Sequence, residues 1–96
     1  MAEPWKRHSG LTCDHGLKIF LVDGTHVRNT MESQFIQGGN EFRYDFVPAG
    51  ELWADWHIPE AEIPFVIFHE CYETEKMRVG WSYDRAHAAA KRAENK

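Results

Sequence analysis

Two kinds of hydrophobic spacing divide the chain. As far as Ile58 the apolar residues alternate with polar ones or form short blocks; beyond Pro59 they follow a helical pattern. In the first part, Ile19-Phe20-Leu21-Val22 is a β-favouring run. Asp23-Gly24 is a two-residue turn signal, and Thr25-His26-Val27-Arg28 alternates as a return strand, so the pattern predicts a hairpin over Lys18 to Arg28. Gly38-Gly39-Asn40 marks another reversal. Glu41 to Val47 then alternates strictly, with Phe42, Tyr44 and Phe46 on one face and Arg43 and Asp45 on the other, which predicts a strand. Pro48-Ala49-Gly50 breaks it, and Glu51 to Ile58, with Leu52, Trp53 and Trp56, reads as one more strand. Residues 1–17 carry Pro4, Gly10 and Gly16 without any period and predict an irregular arm.

The second part predicts a helical hairpin over 60–94. Pro59 and Pro64 bracket Glu60 and Glu62, an acidic start with a proline fit for the first turn. Phe65 to Val79 runs without a breaker, and Gly80 is a natural stop. Ser82 or Asp84 can cap a second helix that reaches about Glu94 and is rich in alanine. Lys91 and Arg92 suit its C-terminal turn, where cations offset the carbonyl dipoles. Strands followed by helices give an α+β fold, expected here as a small antiparallel sheet of three or four strands against a two-helix hairpin.

Composition narrows the function. Ninety-six residues make a single domain, and a core this small would gain noticeably from a bound metal. Eleven basic against fifteen acidic side chains give a net charge of −4, a poor match to a nucleic-acid backbone. No apolar run approaches the roughly 18 residues of a membrane span, and the first residues lead into no secretory signal. Cys13 and Cys71 are too few for a disulfide framework, so Cys71 reads as a small core residue and a reducing cytoplasm as the simplest location. Trp53 and Trp56, with Phe65 and Phe68, read as core between sheet and helix. His57 falls at a strand-to-helix junction, and Cys13-Asp14-His15 with His26 form only a weak second metal cluster.

The chemistry lies in Phe68-His69-Glu70-Cys71-Tyr72-Glu73. On a helix His69 and Glu73 share one face, one turn apart, so both can ligate one small divalent ion. Glu70 lies roughly 100° round the helix, able to reach a water on that ion but turned from direct ligation. This is the logic of the H-E-x-x-H zinc helix with its glutamate base. Here the fifth position is glutamate, and two histidines with one glutamate are an accepted catalytic zinc set. Gly80 lies midway between Glu73 and His87. In an antiparallel hairpin both fall at the same height, roughly 10 Å from the turn, which makes His87 the third ligand. Tyr83, one turn before His87, can orient a substrate carbonyl or oxyanion. Asp84 can accept from the other ring nitrogen of His87. The competing reading of Glu73 is a surface pair with Lys76. The expected cofactor is one zinc ion, with manganese or iron compatible with a carboxylate ligand.

Residues 41–94 also carry a resemblance. Phe46-Val47-Pro48-Ala49-Gly50-Glu51-Leu52-Trp53, Phe68-His69-Glu70, Met77, Gly80, Tyr83-Asp84-Arg85-Ala86-His87 and Ala90 are similar to a group of small phage and bacterial proteins regarded as zincin-like metallopeptidases of minimal size. The resemblance implies that His69 is a metal ligand, Glu70 the base, and the strand around Leu52, Trp53 and Asp55 a cleft edge that holds an extended peptide. It also implies a peptide or protein substrate and, for a phage protein, a location in the host cytoplasm. Glu73 departs from the pattern by replacing the second histidine. The alternative is a non-catalytic module, or a protein with a structural metal, that binds a host protein through an aromatic patch. The same aromatics could serve a homodimer.

Overall fold

In the computed structural model, which describes residues 4–13 and 16–94, the chain lays down four strands and three helices. In order they are β1 (Lys6–Thr12), β2 (Lys18–Val22), α1 (Gly24–Thr30), β3 (Gly38–Asn40), β4 (Glu51–Asp55), α2 (Ile63–Arg78) and α3 (Tyr83–Glu94), with a 3-10 turn at Glu60–Glu62 before α2. The strands form one sheet in the order β1-β2-β4-β3. β1 and β2 are antiparallel, β2 and β4 parallel, and β4 and β3 antiparallel. The architecture is α+β with a C-terminal helix pair, and its sheet is mixed rather than wholly antiparallel.

The mixed topology follows from what Asp23 does. Its carboxylate accepts hydrogen bonds from the backbone N–H groups of Thr25 and His26, so it caps α1 instead of opening a hairpin. Chain leaving β2 therefore climbs off the sheet through α1 and returns along edge strand β3. It then enters the middle of the sheet as β4, parallel to β2. Asp55 fixes the crossover. Nearly buried at the end of β4, its carboxylate accepts from the backbone N–H groups of Gly24 and His57, each at 3.0 Å, with the Arg28 guanidinium 3.6 Å away.

The alternating segment after β3 is not a strand. The side-chain oxygen of buried Asn40 accepts from the N–H groups of Phe42 and Arg43, both at 2.9 Å, and rolls the backbone into consecutive turns. Tyr44 and Phe46 still point inward and stack on each other, while Phe42 stays exposed. The expected irregular arm is also corrected, because Lys6–Thr12 is a strand. The Ser9 hydroxyl donates to the Ile19 carbonyl at 2.5 Å and accepts from Leu11 N–H, which bridges the register irregularity between His8 and Thr12.

Two apolar layers result. One gathers Val22, Val27, Phe35, Val47 and Trp53, with Trp5, Phe20, Tyr44 and Phe46 packed round them. On β4, Leu52 and Ala54 alternate with Trp53, so they face the opposite side, where α2 lies against β3 and β4. Trp53 is thus core, but under α1 rather than under α2. Phe65 and Phe68 are 60% and 46% exposed on α2, so they are not the core expected of them. The buried stripe Ala86, Ala89 and Ala90 lets α3 lie close along α2. Gly80, at φ +104°, makes the left-handed turn that ends α2. Ser82 starts α3, its hydroxyl accepting from Arg85 N–H. No helix among the described residues is long and apolar enough to cross a membrane.

Cys71 is not a free core thiol. It forms a disulfide with Cys13, which closes a loop of 58 residues and fastens the chain between β1 and β2 to the middle of α2. A loop of that length removes much entropy from the unfolded chain. Reduction, or a Cys13→Ser/Cys71→Ser double substitution, is expected to lower the melting temperature by on the order of 10 °C, equivalent to about 2–4 kcal/mol. Thermal melts with and without reductant measure it; an unchanged melting temperature would show that the bridge contributes nothing.

Candidate metal centre

The helix pair brings His69, Glu73 and His87 to one point. His87 Nδ1 lies 3.0 Å from His69 Nε2 and 2.9 Å from Glu73 Oε2, and His69 Nε2 also contacts Glu73 Oε2. All three ligating atoms fall within 4.8 Å of one another. Two helix periods produce this. The i, i+4 spacing on α2 aligns His69 with Glu73, and the tight turn at Gly80 with the alanine stripe of α3 sets His87 opposite. The spacing argument across Gly80 thus agrees with where these three residues lie.

Burial makes the convergence informative. Glu73 is 1% exposed, and its charge must be compensated inside the protein. Lys76 does not supply the compensation, since its ammonium sits over the rings of Tyr72 and Trp81 at 5.3 and 5.1 Å. The groups against the Glu73 carboxylate are the imidazoles of His69 and His87. Two imidazole nitrogens and a carboxylate oxygen facing one point form a donor set that a cation between them would satisfy. An ion about 2.0–2.1 Å from each of three tetrahedral donors spaces them by roughly 3.3 Å, within a few tenths of an ångström of the two separations from His87, while His69 Nε2 and Glu73 Oε2 lie closer together than that.

Glu70 lies beside this point against the sheet. A Cβ added to Gly38 of β3 would meet the Trp53 carbonyl oxygen at 2.6 Å and Glu70 Cγ at 3.2 Å, so only glycine lets the carboxyl-bearing chain fit there. Burial raises the Glu70 pKa to about 8, and the Glu73 charge adds to the rise; His69 and Arg43 oppose it. Tyr83 stacks on His87 with ring centres 5.4 Å apart, and the Arg43 guanidinium lies 4.5 Å over the Tyr83 ring. Burial, then the charge of Glu73, pushes the Tyr83 phenol up, so it stays a proton donor.

These groups line a cleft of about 700 Å³. His69, Glu70, Tyr83 and His87 line it, together with parts of the chain from Ser33 to Gly39 and with Arg43, Tyr44, Val66 and Lys91. Among the described residues β3 is an edge strand, paired with β4 alone.

Four expected site residues lie elsewhere. Leu52, Trp53 and Asp55 are buried in β4, which has a strand on each side, so they border no cleft. The edge that borders it is β3, which the Gly-Gly pair could have signalled as a place of close backbone approach. Asp84 is exposed in the first turn of α3, suited to the helix dipole, and does not bond His87. Arg43 was not foreseen; strict alternation placed it on the face of a strand that does not form. Of the weak second metal cluster, Cys13 is held in the disulfide and His26 stacks on Trp5, while Asp14 and His15 lie outside the described residues. The chain matches no protein-family model, no curated protein and no solved structure.

Two predictions follow from the packing of Glu70. Its pKa is raised in the folded state, so its neutral form favours folding below about pH 4.5, and that benefit is lost as pH rises through about 8. In chelator, Glu70→Gln should therefore match the wild type at pH 4 and melt several degrees higher at pH 9; an equal melting temperature at both pH values would contradict it. Gly38→Ala should cost about 1–3 kcal/mol in denaturant unfolding, because backbone and Glu70 must both move.

Proposed function

We propose that His69 Nε2, Glu73 Oε2 and His87 Nδ1 hold one divalent cation, zinc first, and that the protein hydrolyses a peptide or amide bond. The observation that carries the reading is the meeting of two imidazoles and a buried carboxylate beside Glu70, with both imidazoles and Glu70 lining a cleft. Two nitrogen donors and one oxygen donor without a thiolate suit catalytic zinc and leave manganese or iron as substitutes. A cation there would supply Lewis acidity to a water and to the bond under attack.

The remaining steps belong to the chain's own residues. Glu70, held against Gly38, takes the proton of the attacking water and passes it to the departing nitrogen. The Tyr83 hydroxyl donates to the oxygen on which charge develops. Gly38 and Gly39 of β3 line the cleft in which an extended peptide would lie. The disulfide supports an oxidising setting over the reducing cytoplasm that the cysteine count suggested.

One observation favours a second reading. Phe65 and Phe68 are exposed at i, i+3 spacing on α2, with Tyr72 close to Phe68, as a module that binds a protein partner would present them. In that case the cation is structural.

Elemental analysis should find one metal ion per chain, and chelation should lower the melting temperature. His69→Ala and Glu73→Gln should each abolish binding. Glu70→Gln should keep the ion and reduce hydrolysis of a peptide mixture, read by mass spectrometry, at least about a hundredfold. A protein that takes up no zinc overturns the metal centre. One that takes up zinc, yet whose wild-type and Glu70→Gln forms are equally inert, is the structural module.

A further inference from the structure

We infer that Arg43 binds the terminal carboxylate of the substrate, and that the cleft accepts the C-terminal end of a peptide. The inference rests on the hydrolytic reading of the same site and names its substrate class. Arg43 is exposed where it lines the cleft. Its backbone N–H is bonded to the side chain of Asn40, which is fully buried, and its guanidinium lies 5.0 Å over Tyr44 and 4.5 Å over Tyr83. Those rings orient the planar group. Among the described residues no carboxylate pairs with it at ion-pair distance. A guanidinium lining the cleft, with donors left over, is the fork that matches a carboxylate.

Distance selects the chain end. The ring contacts from Arg43 to Tyr83 (4.5 Å) and from Tyr83 to His87 (5.4 Å) keep the guanidinium within roughly 10 Å of the His87 ring, while one residue of extended chain spans about 3.3–3.6 Å. A carboxylate on Arg43 therefore leaves the last or next-to-last peptide bond beside His69, Glu70 and His87. Ile36 and Val66 offer an apolar wall to the side chains of those residues. In the reaction the water oxygen bonds to the carbonyl carbon as its proton passes to Glu70. The C–N bond then breaks, its electron pair stays on nitrogen, and Glu70 returns the proton there. The products are a shortened peptide acid and a free amino acid or dipeptide.

The test separates recognition from hydrolysis. Binding of acetyl-Ala-Ala-Phe and of its C-terminal amide to the zinc-loaded Glu70→Gln protein is measured by calorimetry. The acid should bind at least about tenfold tighter than the amide, the preference should vanish in an added Arg43→Ala change, and Arg43→Lys should restore part of it. Equal affinity for acid and amide overturns the inference, as does a preference that survives Arg43→Ala. Wild-type zinc protein is then given both peptides. Release of phenylalanine or Ala-Phe from the acid alone supports both readings. Equal cleavage of acid and amide leaves the hydrolase standing and removes the role of Arg43. An Arg43-dependent preference for the acid without cleavage supports the carboxylate site and removes the hydrolase.

Discussion

The carboxylate of Glu73 is the constraint on which the C-terminal half of the protein depends. It is buried between α2 and α3, where an uncompensated charge would cost several kcal/mol, and the groups that meet it are the imidazoles of His69 and His87. To satisfy that charge the two helices must lie at one separation and one height. The alanine stripe of α3 permits the separation, and the turn at Gly80 sets the height. The helix pair is thus packed around a polar centre, and any group that strengthens the centre also strengthens the pair.

The sheet contributes by closing one side of this centre. α2 rests on β3 and β4, and the absence of a side chain at Gly38 admits Glu70 between helix and strand. That placement takes much of the carboxyl group out of water and holds it next to the ligands, which is why its proton affinity rises. The disulfide anchors α2 from the other side, at the residue after Glu70. Helix, edge strand and bridge together fix a small number of polar groups that a domain of this size could not otherwise hold still.

The cleft inherits its chemistry from this arrangement and its shape from the turns after β3. Asn40 rolls the backbone so that Tyr44 goes inward and Arg43 lines the cleft, over the same Tyr83 that stacks on His87. A cationic fork, a phenol and a carboxyl group thereby line one cleft, and β3 lies beside them. The hydrolytic reading and the carboxylate site draw on different members of this set, so each can stand or fall separately.

Local spacing was enough to identify the helix pair and the convergence of His69, Glu73 and His87. Positions four apart on a helix, and equidistant from a glycine turn, are fixed by helix geometry whatever surrounds them. The sheet was less legible, since its order rests on long-range hydrogen bonds. Asp23-Gly24 suits a hairpin turn and a helix cap equally well, and Asp55, thirty-odd residues away, tips the balance by accepting from Gly24 N–H. Alternation in Phe42, Tyr44 and Phe46 describes a strand until Asn40 supplies a side-chain partner for the backbone. Leu52, Trp53 and Asp55 could be assigned to an edge or to the interior only after β3 had taken the outer place. What the chain decided alone is whatever depends on neighbours within a helical turn or two; the third dimension decided which strand faces the cleft, where Arg43 points and that Cys13 meets Cys71, because those contacts join segments with no local geometry in common.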